Sequence, residues 1–157
     1  MTRLGTILLV EDAANDVDLL LRTFQQLGVQ NPVEVCRSAS EAIDYLSSDR
    51  AHPTLVLLDL KMPGTDGFAV LHWIKSNPQL KELIVIVLTT SDNIHDIRRA
   101  YTMGANSFLT KPVNLHDFKN MISAFHQYWI LSNQPLPGSD ARRPPVPQAP
   151  SVSSPRT

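Results

Sequence analysis

The sequence predicts an α/β fold, a central parallel sheet of five strands with helices on both faces, and three observations carry that prediction. Short runs such as Thr6-Ile7-Leu8-Leu9-Val10, Leu55-Val56-Leu57-Leu58 and Ile84-Val85-Ile86-Val87-Leu88 are continuously aliphatic, as strands buried on both faces are. The segments between them space apolar residues helically, so strands alternate with crossover helices. Each run also ends in a polar group: Glu11-Asp12, Asp59, Thr89 and, after Ser107-Phe108-Leu109-Thr110, Lys111.

Taken in order, the first strand ends at Val10. Val17, Leu20, Leu21, Phe24 and Leu27 then form a helical stripe, with Asn15 as N-cap and Gly28 as terminator. Pro32 to Arg37 reads as the second strand, and Ser38 to Ser48, with Ala39, Ala42, Ile43 and Leu46 on one face, as the second helix. The third strand delivers Asp59. Met62-Pro63-Gly64-Thr65-Asp66-Gly67 is a turn-rich loop, and the helix after it buries Phe68, Leu71 and Ile74 until Asn77-Pro78 stops it. The fourth strand delivers Thr89. Asp92 or Asn93 caps a helix through Ile94, Ile97, Ala100 and Tyr101, which Gly104 ends. The fifth strand delivers Lys111, and Asn114 with Asp117 opens a last helix whose stripe is Leu115, Phe118, Ile122, Phe125 and Trp129. Five β/α units with right-handed crossovers and both faces covered point to the flavodoxin-like strand order 2-1-3-4-5 in a three-layer (βα)5 arrangement.

A carboxylate closing an aliphatic strand belongs either at solvent or at a site that uses its charge. In a parallel sheet the strand ends share one edge, where open α/β folds bind their ligands, so Glu11, Asp12, Asp59, Thr89 and Lys111 are candidates for a single site. Converging carboxylates repel one another, which a hard divalent cation relieves. Mg²⁺ suits such oxygen ligands. Asp59 and Asp12 would bind it directly, Glu11 directly or through water, and the backbone carbonyl of Lys61 could reach inward. Lys111 and Thr89 add donors able to orient the oxygens of a phosphoryl group transferred onto Asp59, because a carboxylate can act as a phosphoryl-accepting nucleophile.

With these residues the chain resembles a receiver domain of the bacterial two-component response regulators. The likeness rests on Glu11-Asp12, Asp59 with Met62-Pro63-Gly64-Thr65-Asp66-Gly67 behind it, Thr89, and Lys111-Pro112, and it spans roughly residues 5 to 131. It implies the strand order given above. It also implies that Asp59 is the phosphoacceptor, Glu11 and Asp12 the acidic metal pocket, and Thr89 and Lys111 the pair that senses phosphate. The family's switch would turn the Thr89 hydroxyl toward the phosphoryl group and Phe108 inward, reshaping the face of the fourth and fifth helices. Phe108 lacks the hydroxyl of members with Tyr there, so packing alone would govern it. Lys111-Pro112 is usually cis in the family. Small size, the ending Leu88-Thr89-Thr90-Ser91 and the aromatic Tyr128-Trp129 are similar to the stand-alone regulators paired with phytochrome-type histidine kinases. Such members receive phosphoryl groups from a sensor histidine kinase or a His phosphotransfer protein, and act by phosphorelay, partner binding or homodimers through the last helices.

The whole chain sets limits on these readings. Its 157 residues have room for one domain, assigned to 1–131, and the net charge of −1 argues against direct nucleic-acid binding. The only cysteine, Cys36, rules out an internal disulfide, and the N-terminus lacks the apolar stretch of a signal peptide or membrane span, so a cytoplasmic location is expected. Seven of the twelve prolines fall in the last 23 residues and no aromatic follows Trp129, so 132–157 reads as a disordered Pro-rich tail with no output domain. Tyr128, Trp129, Ile130 and Leu131 either pack beneath the domain or form an association patch. The five histidines show no shared metal spacing.

Three rivals come from other classes. A flavodoxin-like flavin carrier would want a Gly, Ser or Thr-rich phosphate loop after the first strand, where Glu11 and Asp12 would repel phosphate. An Asp-nucleophile phosphatase, flavodoxin-like and Mg-dependent, would place an acid two residues after the nucleophile, where Lys61 stands. A receiver-like docking module that works without phosphorylation would have no use for all five polar groups. Lys61 further predicts slow hydrolysis of the phosphoaspartate, by pairing with the phosphoryl group or obstructing water.

Overall fold

The aliphatic runs form the expected strands in a computed structural model, which describes residues 4–50, 52–134 and 136. They are Ile7–Val10 (β1), Val33–Cys36 (β2), Leu55–Leu58 (β3), Ile84–Thr89 (β6) and Ser107–Thr110 (β7), all parallel, in the order β2-β1-β3-β6-β7. This is the predicted 2-1-3-4-5 order once two short strands, Lys61–Met62 (β4) and Thr65–Asp66 (β5), are set aside. That antiparallel pair sits in what the sequence reads as a plain loop. Two-residue strands are too short to show periodicity, and the turn between them uses Pro63-Gly64, with Gly64 at φ +68° as a Pro-Gly turn requires.

Alternation along the strands builds a core on each side of the sheet. Leu8, Val10, Val56, Leu58, Val85 and Val87 face one way, against Ala42 and Leu46 of α2 (Ala39–Ser47), Phe68, Leu71 and Ile74 of α3 (Gly67–Ser76), and Ala100 of α4 (Ile94–Thr102). Ile7, Leu9, Leu55, Leu57, Ile86 and Leu88 face the other, against Val17, Leu20 and Phe24 of α1 (Ala14–Gln26) and Phe118, Ile122 and Phe125 of α5 (Leu115–Phe125). Every side chain of β1 and β3 is buried, because these strands carry helices on both faces and neighbours on both edges. Phe24 and Phe125 stack at 6.1 Å and join α1 to α5.

The helix starts follow local chemistry. Ser38, Asp66, Asn93 and Asn114 cap α2, α3, α4 and α5, and Asn114 accepts from both His116 and Asp117. Asn15 does not cap α1. The helix starts earlier, with Ala13 at the N-cap, because the Glu11 carboxylate takes the Ala13 N–H at 3.1 Å and leaves Asn15 inside the first turn. The last helix also departs from a continuous α-helix. From His126 to Ser132 it is a π-helix whose wider turn brings Ile130, as well as Trp129, against the core, while Tyr128 and Leu131 stay exposed. All described peptide bonds are trans, so Lys111–Pro112 departs from the cis form that the resemblance implied; the intrinsic preference of an X–Pro bond for trans is about 0.5–1 kcal/mol. No described helix is long and apolar enough to cross a membrane. Apart from 132–134 and Leu136, the expected tail lies outside the described residues.

Candidate functional site

The polar strand ends meet because β1 and β3 are neighbours in register. Val10 pairs with Leu58, and the Asp59 N–H donates to the Val10 carbonyl at 3.0 Å, so Glu11 and Asp59 leave adjacent strands side by side. One carboxylate oxygen from each of Glu11, Asp12 and Asp59 lies within 4.8 Å of the others. Glu11 and Asp59 are buried and Asp12 is half-buried. This all-oxygen donor set, carrying more negative charge than its burial favours, fits a hard divalent cation.

Lys111 enters from two strands away. Its backbone N–H donates to the Thr89 carbonyl at 2.7 Å, extending the β6–β7 pairing past Thr110. The side chain then reaches back to place Nζ 2.6 Å from Glu11, 3.0 Å from Asp16 and 3.5 Å from Asp59. Burial pushes the Glu11 carboxyl up to about 7, against the opposing pull of the Lys111 hydrogen bond. Burial alone would lower the Lys111 ammonium, but its hydrogen bond to Glu11 and the charge of Asp59 outweigh it, and Lys111 holds its proton more tightly than an ordinary lysine. The cluster therefore contains a cation that a metal ion or a phosphoryl group would have to share.

Thr89 is fully buried, and its hydroxyl oxygen sits 3.5 Å from the Ser91 N–H. Phe108 is half-buried against the core cluster on the α2–α4 side. Lys61 divides its contacts: its backbone N–H donates to Asp59 Oδ1 at 3.0 Å, while its ammonium lies 3.2 Å from Asp96 Oδ2. The chain just after β3 approaches α3 closely at Gly67. A Cβ there would sit 2.6 Å from Leu60 Cα and closer still to the Asp59 carbonyl oxygen.

Sequence reasoning brought forward Glu11, Asp12, Asp59, Thr89 and Lys111, and the fold places all five at one sheet edge. It missed Asp16, whose signal was an acid one turn beyond Glu11-Asp12 in an N-terminal helix turn. It also missed Asp96, in the first turn of α4, which meets the Lys61 ammonium only through the sheet order, and Ser91, in the loop after β6, whose hydroxyl donates to Asp96.

Known proteins resemble this chain in sequence and in fold. The response regulator receiver domain pattern matches residues 7–123. The probable methanogenesis regulatory protein FilR2 of Methanothrix harundinacea is 41% identical over 132 residues, covering 82% of this chain and 85% of FilR2. Response regulator Rcp1 of Synechocystis is 36% identical over 129 residues, covering 79% of this chain and 88% of Rcp1. The Mn²⁺-bound structure of Rcp1 superposes with a TM-score of 0.79 at 34% identity, covering 83% of this chain and 98% of that one. The phosphorylated cyanobacterial phytochrome response regulator RcpA superposes with a TM-score of 0.80 at 33% identity, covering 85% of this chain and 99% of RcpA.

Proposed function

The chain belongs to the response regulator receiver domain family, the phosphoacceptors of two-component systems, and on that premise we propose that Asp59 is its phosphoacceptor. The observation that carries this reading is the convergence of Glu11, Asp12 and Asp59 oxygens within 4.8 Å at the carboxyl edge, with Lys111 beside them. Glu11, Asp12, Asp59 and the Lys61 carbonyl would hold a divalent cation, taken to be Mg²⁺, and a cation there would supply positive charge to offset that of the incoming phosphoryl group. An acidic pocket of this composition and a relative crystallised with Mn²⁺ support a divalent site.

The chain's own residues account for the rest of the chemistry. An Asp59 carboxylate oxygen attacks phosphorus, and the donor keeps the electron pair of the broken bond. Lys111, already 3.5 Å from Asp59, shifts from Glu11 and Asp16 onto a phosphoryl oxygen. Thr89 gives up its local contact to bind another. Phe108 then moves further into the space that Thr89 vacates, changing the face of α4, β7 and α5.

The donor is a sensor histidine kinase, of the phytochrome type in the narrower reading, or a His phosphotransfer protein. The likeness to the phytochrome response regulator RcpA supports the narrower reading. The output is phosphorelay or protein contact in the cytoplasm, without direct nucleic-acid binding or turnover of an external substrate. A homodimer through the last helices would use exposed Tyr128 and Leu131. The receiver domain is assigned to 1–131, followed by a Pro-rich tail.

Incubation with acetyl phosphate and Mg²⁺, followed by intact-mass measurement, tests this reading. The wild type should gain one phosphoryl group and Asp59→Asn none. No gain in the wild type, or an equal gain in Asp59→Asn, would sink it.

A further inference from the structure

Lys61 has its main chain on the acceptor and its charge elsewhere. Its N–H holds Asp59 Oδ1 at 3.0 Å, yet its ammonium, on a side chain 56% exposed, pairs with Asp96 Oδ2 at 3.2 Å. Asp96 is the better-fixed partner, at 19% side-chain exposure. The same Asp96 oxygen accepts the Ser91 hydroxyl at 2.7 Å; that hydroxyl oxygen accepts the Asn93 N–H at 3.3 Å, and the Ser91 carbonyl accepts Thr110 Oγ1 at 3.0 Å. The Ser91 hydroxyl, and after it Lys61, keeps the Asp96 carboxyl below the usual carboxylate range, so it is an anion at neutral pH.

A phosphoryl group on Asp59 would bring a second, more strongly charged anion next to Lys61. One ammonium on a flexible stem cannot pair fully with both. We propose that Asp96 is a positioning residue that competes with the phosphoryl group for Lys61 and thereby sets the lifetime of the phosphoaspartate. This rests on Asp59 being the acceptor. In hydrolysis a water oxygen bonds to phosphorus, the bond between phosphorus and the Asp59 oxygen breaks, and the carboxylate keeps its electron pair. The water's protons leave with inorganic phosphate or pass to solvent. A Lys61 ammonium seated on the phosphoryl oxygens obstructs the approach of that water, and one held by Asp96 does not.

The test loads each protein with acetyl phosphate and Mg²⁺, removes the donor by rapid desalting, and follows loss of the phosphoryl group by intact mass. Asp96→Asn, which removes the charge and keeps the shape, should lengthen the lifetime about two- to fivefold, the worth of a partly exposed ion pair. Lys61→Ala should shorten it, and Lys61→Ala/Asp96→Asn should behave like Lys61→Ala alone. Asp96→Glu, which retains the charge in the first turn of α4, should restore the wild-type lifetime and shows that the fold tolerates change there. An unchanged or shorter lifetime in Asp96→Asn, or a lengthening that persists without Lys61, overturns the proposal. A wild type that takes up no phosphoryl group overturns the acceptor assignment and the role of Asp96 with it, so the two failures are told apart at the loading step.

Discussion

Lys111 Nζ and Glu11 Oε2 lie 2.6 Å apart although 100 residues separate them in the chain, and this contact ties the fifth strand of the sheet to its centre. Both side chains are nearly buried, at 9% and 4% exposure, so neither charge has enough water to replace the other. Breaking one half of such a pair costs more than the pair itself contributes, because the remaining charge stays buried. Lys111→Met should therefore lower stability by about 3 kcal/mol at pH 8, read from the urea midpoint at constant m-value. The cost should shrink with acid. Burial raises the folded Glu11 pKa from 4.5 to about 7, so Glu11 favours the folded state most below about pH 4.5, and that contribution is lost as pH rises through 7. Without Lys111 the folded Glu11 pKa rises further, so the loss is larger and extends to higher pH, and a deficit equal at pH 5 and pH 8 would contradict the pairing.

Gly67 allows the start of α3 to approach the end of β3. Gly67→Ala would push a methyl group into the Asp59 carbonyl and Leu60 Cα, both backbone atoms that no rotamer change can clear. The expected cost is about 1–3 kcal/mol, with a slower uptake of phosphoryl groups because the loop that carries Asp59 must itself shift. Ala69→Gly, on the exposed face of the same helix, should cost only about 1 kcal/mol and leave uptake unchanged. Equal uptake in Gly67→Ala and the wild type would show that the loop absorbs the methyl group without moving Asp59.

How much of this was readable beforehand depends on the range of the interaction. The buried strands were legible because coverage on both faces demands runs such as Leu55-Val56-Leu57-Leu58, and their shared polar edge brought Asp59, Glu11 and Lys111 forward together. The start of α1 was misplaced because Asn15 has the right chemistry for a cap, while the deciding bond comes from Glu11, a side chain that also serves the site. The π-helical end was hidden because Phe125 and Trp129 satisfy ordinary helical spacing, and only the packing of Ile130 separates the alternatives. The Lys61–Asp96 pair crosses from the loop after one strand to the helix after the next, a contact that exists only once the sheet order is known.

Lys75 is a further cation whose role only the fold reveals. Its ammonium donates to the carbonyls of Leu83 at 2.7 Å and Lys81 at 3.1 Å, fastening α3 to the turn before β6. Lys75→Met leaves both carbonyls without this donor and should cost about 1–2 kcal/mol at pH 7. Burial lowers the Lys75 pKa, so the folded state releases the proton before the unfolded state does, and wild-type stability from this group rises as pH climbs through the folded value toward 10.5. Lys75→Met lacks that gain. Its deficit in chemical denaturation should grow between pH 8 and pH 10, and a deficit that narrows over that range would contradict the assignment.

Asp12 is the most exposed member of the carboxylate trio, so it is the best handle on the proposed cation. Mg²⁺ should raise the melting temperature of the wild type by mass action, and a chelator should reverse the rise. Two unit charges about 4 Å apart near a protein surface interact by about 4 kcal/mol before hydration is counted. Removing one carboxylate should therefore weaken Mg²⁺ binding by at least about tenfold, the equivalent of about 1.4 kcal/mol. Asp12→Asn and Asp59→Asn should both show this in a titration of melting temperature against Mg²⁺. They differ without metal: Asp59→Asn removes a buried charge crowded against Glu11 and should melt higher than the wild type, whereas Asp12→Asn, partly solvated already, should change little. Wild-type Mg²⁺ affinity in Asp12→Asn would remove this carboxylate from the ligand set and leave the ion to Glu11, Asp59 and backbone oxygens.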